Sequence, residues 1–204
     1  MGVFLSLRPA IIIPPCGTIS PMSVHRILRM GHPDLRRVCD PVPESDFDSP
    51  GLHALVDDLV DTMHASEGLG LAAAQIGVPQ RVAVIEVQPG NARYPGAVPT
   101  GRLVLVNPVV TVLDATPQRY WEGCLSVPGL RGEVARPRHI AVDYREPDGT
   151  PRHLEPEGFL ATVFQHEIDH LDGTLFIDRV TDTTRLAFLD EYREFQATAL
   201  QAPS

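Results

Sequence analysis

The chain has no lysine: all 17 basic residues among its 204 are arginine. Schiff-base chemistry and lysine bases are thereby excluded, except through the N-terminal amine. Cysteine is scarce, and Cys16, Cys39 and Cys124 are widely spaced and odd in number. That is no disulfide framework, and it points to a reducing compartment, the cytoplasm. Long apolar runs are missing too; stretches such as residues 10–13 fall far short of the roughly 20 residues that span a bilayer, so no membrane partner is expected. Positive charge is in deficit, and a formal net charge of −9 argues against a specific nucleic-acid partner, whose binding surface would be basic.

What remains is ordinary for a globular protein, with 43% apolar and 21% charged residues and no internal repeat. The economical reading is an extension over residues 1–21 followed by one domain over residues 22–204. The extension does not read as a signal peptide, because Arg8, Pro9, Pro14 and Pro15 break its apolar core. Met22 is an alternative start.

Residues 49–68 spell a helix. Ser49 can cap it, Pro50 suits its first turn, and Leu52, Leu55, Val56, Leu59, Val60 and Met63 recur at helical spacing. Strand-like runs follow at residues 81–87, 103–106 and 109–113, with loop signals at Pro89-Gly90 and Tyr94-Pro95-Gly96 between the first two. Residues 138–144 alternate and end at the turn Pro147-Asp148-Gly149, before a return strand at 151–154. Residues 158–171 read as a second helix stopped by Gly173, and Leu186, Leu189, Tyr192 and Phe195 mark a short C-terminal helix. This order predicts an α+β fold: antiparallel β-sheets around a central helix, with one helix N-terminal to it and a short one at the C-terminus.

Three stretches carry chemistry. In QHEIDHLDG, residues 165–173, His166 and His170 stand one helical turn apart on one side. Two imidazoles so placed can converge on one cation, while Glu167 reaches a water on that metal without binding it. The ordinary alternative is an amphipathic helix with two packed histidines. Two histidines do not complete a catalytic site, which takes three protein ligands. Zinc peptidases take the third from a downstream Glu or His, and here only acidic residues without a ligand motif follow, such as Asp172, Asp178 and Glu191. Upstream, EGCLS at residues 122–126 offers Cys124, whose thiolate would ligate iron or zinc, although a cysteine by itself is more often a small buried hydrophobe. In GLGLAAAQ, residues 68–75, almost no side-chain bulk precedes Gln75. Such a stretch suits a tight connection, or a backbone against which a ligand lies, with Gln75 as an oxyanion donor. It lacks the third glycine of a dinucleotide site.

In this order the three motifs resemble those of the peptide deformylase family in its bacterial form, and the similarity runs from about residue 27 to 179. The resemblance implies that Cys124, His166 and His170 hold one divalent metal, Fe²⁺ by family analogy, with Zn²⁺, Ni²⁺ or Co²⁺ as other occupants. It implies that water activated on that metal attacks a formyl carbon, with Glu167 as general base and then acid. Gln75 and the Leu125 N–H match the oxyanion donors, and Gly68, Gly70 and Arg131 match positions along the bound peptide. Val163 is expected in an apolar pocket for methionine. The implied partners are N-formyl-methionyl nascent peptides, with transient ribosome contact. Ala74, where the family often has Pro or Thr, is a departure remote from the chemistry. A zinc endopeptidase of the His-Glu-x-x-His type, and a protein with a purely structural metal, remain as alternatives.

Overall fold

A computed structural model describes residues 23–89 and 98–196. The extension at 1–21, the loop signals at 90 and 94–96, and the tail from 197 lie outside the described residues. Helix α1, Pro50–Ala65, forms as the residues dictate: Ser49 Oγ accepts the Leu52 N–H at 3.2 Å and Pro50 opens the first turn. Helix α2, Gly158–Leu171, spans the expected residues and gives way to Gly173 at φ +70°. A side chain at 173 would be strained there, and its Cβ would meet the Arg36 carbonyl oxygen at 2.7 Å.

The strands are β1 (Gly70–Ala72), β2 (Val82–Ile85), β3 (Leu103–Cys124), β4 (Val127–Arg145), β5 (Pro151–Leu154) and β6 (Leu186–Phe188). They bond antiparallel in the order β1-β2-β3-β4-β5, with β6 also on β4, so one continuous hydrogen-bonded sheet carries the architecture. The first three strands lie between the two long helices. Alternation sorts their side chains. Ala72, Ala83, Ile85 and Leu105 pack with Phe164, Ile168 and Leu171 of α2. Leu71, Val82, Val84 and Val106 pack with Leu52, Leu55, Leu59 and Met63 of α1. All four residues of β2 are buried, which explains its unbroken apolar run.

Four elements differ from the sequence reading. β3 continues ten residues and more past Leu113, and β4 starts well before residue 138. Proline and charge interrupt the pattern there, and the ladder absorbs them as register shifts, for example between Asp114 and Pro117. Residues 70–72, too small to look like a strand, form β1 against β2. At the C-terminus Leu186 belongs to β6, and the helical segment is short: α3, Leu189–Glu191, running into a π turn at Tyr192–Gln196. Among the described residues no helix is long and apolar enough to cross a membrane.

Candidate metal centre

α2 presents His166 and His170 with ring centroids 5.2 Å apart, and the last residue of β3 brings Cys124 to them. The ligand atoms of these three residues all lie within 4.8 Å of one another, and Cys124 Sγ is 3.2 Å from His170 Nε2. This is the one such group found among the described residues. None of the downstream acidic groups joins it; Asp172, for instance, pairs with Arg81 at 2.6 Å.

The imidazole of His166 is fixed from behind. Its Nδ1–H donates to Glu122 Oε2 at 2.8 Å, which leaves Nε2 as the atom available to a cation. Glu122 is in turn held by Arg136, whose Nε and Nη2 reach its two oxygens at 2.6 and 3.0 Å. The third arm of Arg136, Nη1, donates to Asp169 Oδ2 at 2.8 Å, and Asp169 also takes Arg179 Nε at 2.5 Å. Arg136 is only 2% exposed, so its charge is tolerable only because both carboxylates meet it.

Electrostatics follow from this packing. Burial favours the neutral Cys124 thiol, yet His170 and His166 hold it well below its ordinary value, toward the ligating thiolate. Burial likewise opposes ionisation of Glu122, and His166 and Arg136 overcome it, bringing the carboxyl to about 2. His166 is pushed the other way: burial lowers it, but Cys124 and Glu122 raise it well above its usual value. Glu167 differs from its neighbours. Burial dominates and raises its pKa, although His166 and His170 pull the other way. A thiolate and two imidazoles, one of them backed by a carboxylate, form a donor set that fits a divalent cation of the iron–zinc type.

A cavity of about 210 Å³ opens over this cluster. Its lining includes Cys124, His166 and Glu167, and also Gln75, Leu125, Gly68, Gly70, Arg131 and Val163. His170 lies beneath it, 1% exposed, with Nδ1 unpartnered. The Glu167 Oε2 atom is also buried without a partner. Gln75, in the 3-10 turn after β1, is aimed by the end of that strand: the Ala72 N–H donates to its Oε1 at 2.8 Å, turning Nε2 toward Ser126 Oγ at 3.2 Å and Cys124 Sγ at 3.6 Å. Leu125 sits in the short turn between β3 and β4. Two glycines make room. A Cβ on Gly70 would come within 2.6 Å of the Glu167 carboxyl, and one on Gly123 within 1.8 Å of the Arg131 guanidinium.

Sequence reasoning brought these residues into view but missed Arg136, Asp169, Trp121 and Leu189. Asp169 stands inside one quoted motif and Trp121 directly precedes another, and that position was the available signal. Arg136 and Leu189 gave none.

The pattern of the polypeptide deformylase family matches residues 24–186. Peptide deformylase 2 of Bordetella bronchiseptica is 46% identical over 167 residues, which are 82% of this chain and 93% of that protein. The peptide deformylase of Leptospira biflexa is 38% identical over 83% of this chain and 95% of its own length. A Met-Ala-Ser-bound crystal structure of the class I type b peptide deformylase from Acinetobacter baumannii matches with a TM-score of 0.75 at 34% identity, covering 78% of this chain and 99% of that one. With the motifs, the sheet and the Cys–His–His cluster all in agreement, the chain belongs to the polypeptide deformylase family, hydrolases of the N-formyl amide.

Proposed function

We propose that this chain removes the formyl group from the N-formyl-methionyl end of nascent polypeptides in the cytoplasm, with Glu167 moving the proton that the hydrolysis requires. The observation that carries this reading is one cavity bordered by Cys124, His166, Glu167 and Gln75, with His170 directly below. Cys124, His166 and His170 would hold one divalent ion, Fe²⁺ by family analogy, and Zn²⁺, Ni²⁺ or Co²⁺ suit the same donors. When bound, such an ion supplies Lewis-acid charge that polarises a carbonyl oxygen and makes a water acidic near neutral pH.

The protein's own groups do the rest. Glu167, raised by burial, is suited to accept a proton from the attacking water and return it to the amine nitrogen. The formyl C–N bond breaks, formate leaves, and the peptide keeps a free N-terminus. Gln75 Nε2 and the Leu125 N–H would donate to the carbonyl oxygen as negative charge develops on it, and losing one such donor costs about 10²–10³ in rate. The Acinetobacter baumannii relative binds Met-Ala-Ser. That ligand supports placing a methionine side chain in this chain's cavity against buried Val163, and the peptide along Gly68, Gly70 and Arg131. A nascent substrate implies transient contact with the ribosome.

The test is Glu167→Ala, with metal content and formate release from a formyl-Met-Ala peptide measured together. The variant should bind metal like the parent and lose turnover; substantial retained activity would remove Glu167 from the role given to it.

A further inference from the structure

We propose that the segment beyond the family match walls the substrate cleft and selects apolar side chains just after the formyl-methionine, an inference resting on the deformylase reading above. The family pattern stops at residue 186, yet Leu189 lines the same cavity as Cys124 and His166. Strand β6 carries it there. Leu186, Ala187 and Phe188 pair with Gly132, Arg131 and Leu130 of β4, and Leu189 follows at once. The docking is close: a Cβ on Gly132 would stand 2.9 Å from Leu186 Cδ2.

Trp121 completes the wall. Its ring is buried, lines the cavity, and meets the Tyr192 ring from the π turn at a centroid distance of 5.0 Å. The Arg185 guanidinium lies 5.0 Å from the same indole and is anchored by Glu133 at 2.7 Å. The indole thus meets Tyr192 from beyond the family match and Arg185 from its last residues, so its surroundings depend on where this segment docks.

The location along the substrate follows from backbone lengths. Trp121 precedes Cys124 by three residues on β3, which at ~3.3 Å each is up to about 10 Å. A register shift falls between Glu122 and Cys124, and both Trp121 and Cys124 line the one cavity. An extended peptide also advances about 3.3–3.6 Å per residue. With the formyl group beside Cys124, a peptide running along β3 toward Trp121 would bring its second or third residue to the Trp121–Leu189 wall. Phe159, edge-on to Tyr120 at 5.4 Å, borders the cavity from α2. The ionisable residues of the lining are Glu122, Cys124, Arg131, His166 and Glu167. Glu122, His166 and Glu167 belong to the ligand cluster or adjoin it, and Arg131 packs on Gly123 beside Cys124. The wall itself is indole and leucine.

The experiment uses the metal-loaded enzyme and four formylated tripeptides, with Leu or Asp at the second or third position and Ala at the other. Wild type should favour Leu over Asp at one of these positions in kcat/KM. Leu189→Ser should cut that preference about tenfold, the worth of a few apolar contacts in a pocket, while Leu189→Met keeps it. A second readout needs no turnover. Trp121 is the chain's single tryptophan, so its emission should shift on titration with the unformylated product peptide and saturate at higher peptide concentration in Leu189→Ser. Equal use of Leu and Asp by wild type, a preference unaltered in Leu189→Ser, or emission indifferent to product would each overturn the wall. Failure to release formate from any of the peptides would instead sink the deformylase reading, and the emission titration would still decide whether Trp121 and Leu189 border a peptide site.

Discussion

Replacing Gly70 with alanine should disable the enzyme without unfolding it. A Cβ at this position would lie 2.6 Å from the Cγ, Cδ and Oε1 atoms of Glu167. Apolar contacts settle near 3.5–4.0 Å, so the carboxyl must retreat by about 1 Å. It has little room, because Glu167 is 6% exposed and its helix is packed on the sheet. The backbone at Gly70 is not left-handed, and the residue pairs with Ile85 in an ordinary strand register. Alanine is therefore acceptable to the main chain, and it stabilises by about 0.4–1 kcal/mol through the unfolded state. Displacing a reacting group by about 1 Å can cost on the order of 10²-fold in rate, or about 2.7 kcal/mol of barrier. Formate release under saturating formyl-Met-Ala should fall by that factor while metal stoichiometry and Tm stay near the parent values. Turnover within about threefold of wild type, where the displacement predicts on the order of 10²-fold, would refute the claim that this glycine positions Glu167.

Two further outcomes test the surroundings of the site. Glu122→Gln removes the carboxylate behind His166, and metal affinity measured by chelator competition should weaken about 10–100-fold; unchanged affinity would show that the His166 ring is held by packing alone. Asp178 is the pH case. Burial raises its carboxyl, but Arg36 and the Leu175 N–H outweigh that and lower it below the ordinary value. A depressed folded-state pKa adds stability above the unfolded value of about 3.9, lost as pH falls through the folded one. Asp178→Asn should therefore lower Tm at pH 7, and the gap to wild type should close as the pH drops below about 4; a gap independent of pH would assign the effect to shape, not charge.

The sequence revealed the helices and the ligands for different reasons. α1 and α2 announce themselves through caps, period and stop residues, all local features. Cys124, His166, His170, Glu167 and Gln75 stand in motifs whose spacing reflects chemistry. The long β3–β4 hairpin was half hidden, because Pro117, Pro137 and the exposed residues around Asp114 erase the alternation that marks a strand. β1 was hidden for the opposite reason: its residues are too small to advertise a strand, being sized for what lies against them. Arg136 illustrates what no local pattern can show. Its burial makes sense only once Glu122, fourteen positions upstream, and Asp169, thirty-three downstream, are seen to converge on it.

That convergence bears on how the molecule assembles. Arg136 rides on β4, Glu122 on β3 and Asp169 on α2, so β3 and α2 brought together without β4 would bury Glu122 without its guanidinium. The buried network is complete only when all three segments have closed. Because Cys124 arrives with β3 and both histidines arrive with α2, the ligand cluster comes together only where those two elements meet. Truncating one of these charged side chains outright should therefore lower the yield of soluble protein in the cell, whereas the isosteric Glu122→Gln keeps the shape that lets the three elements close.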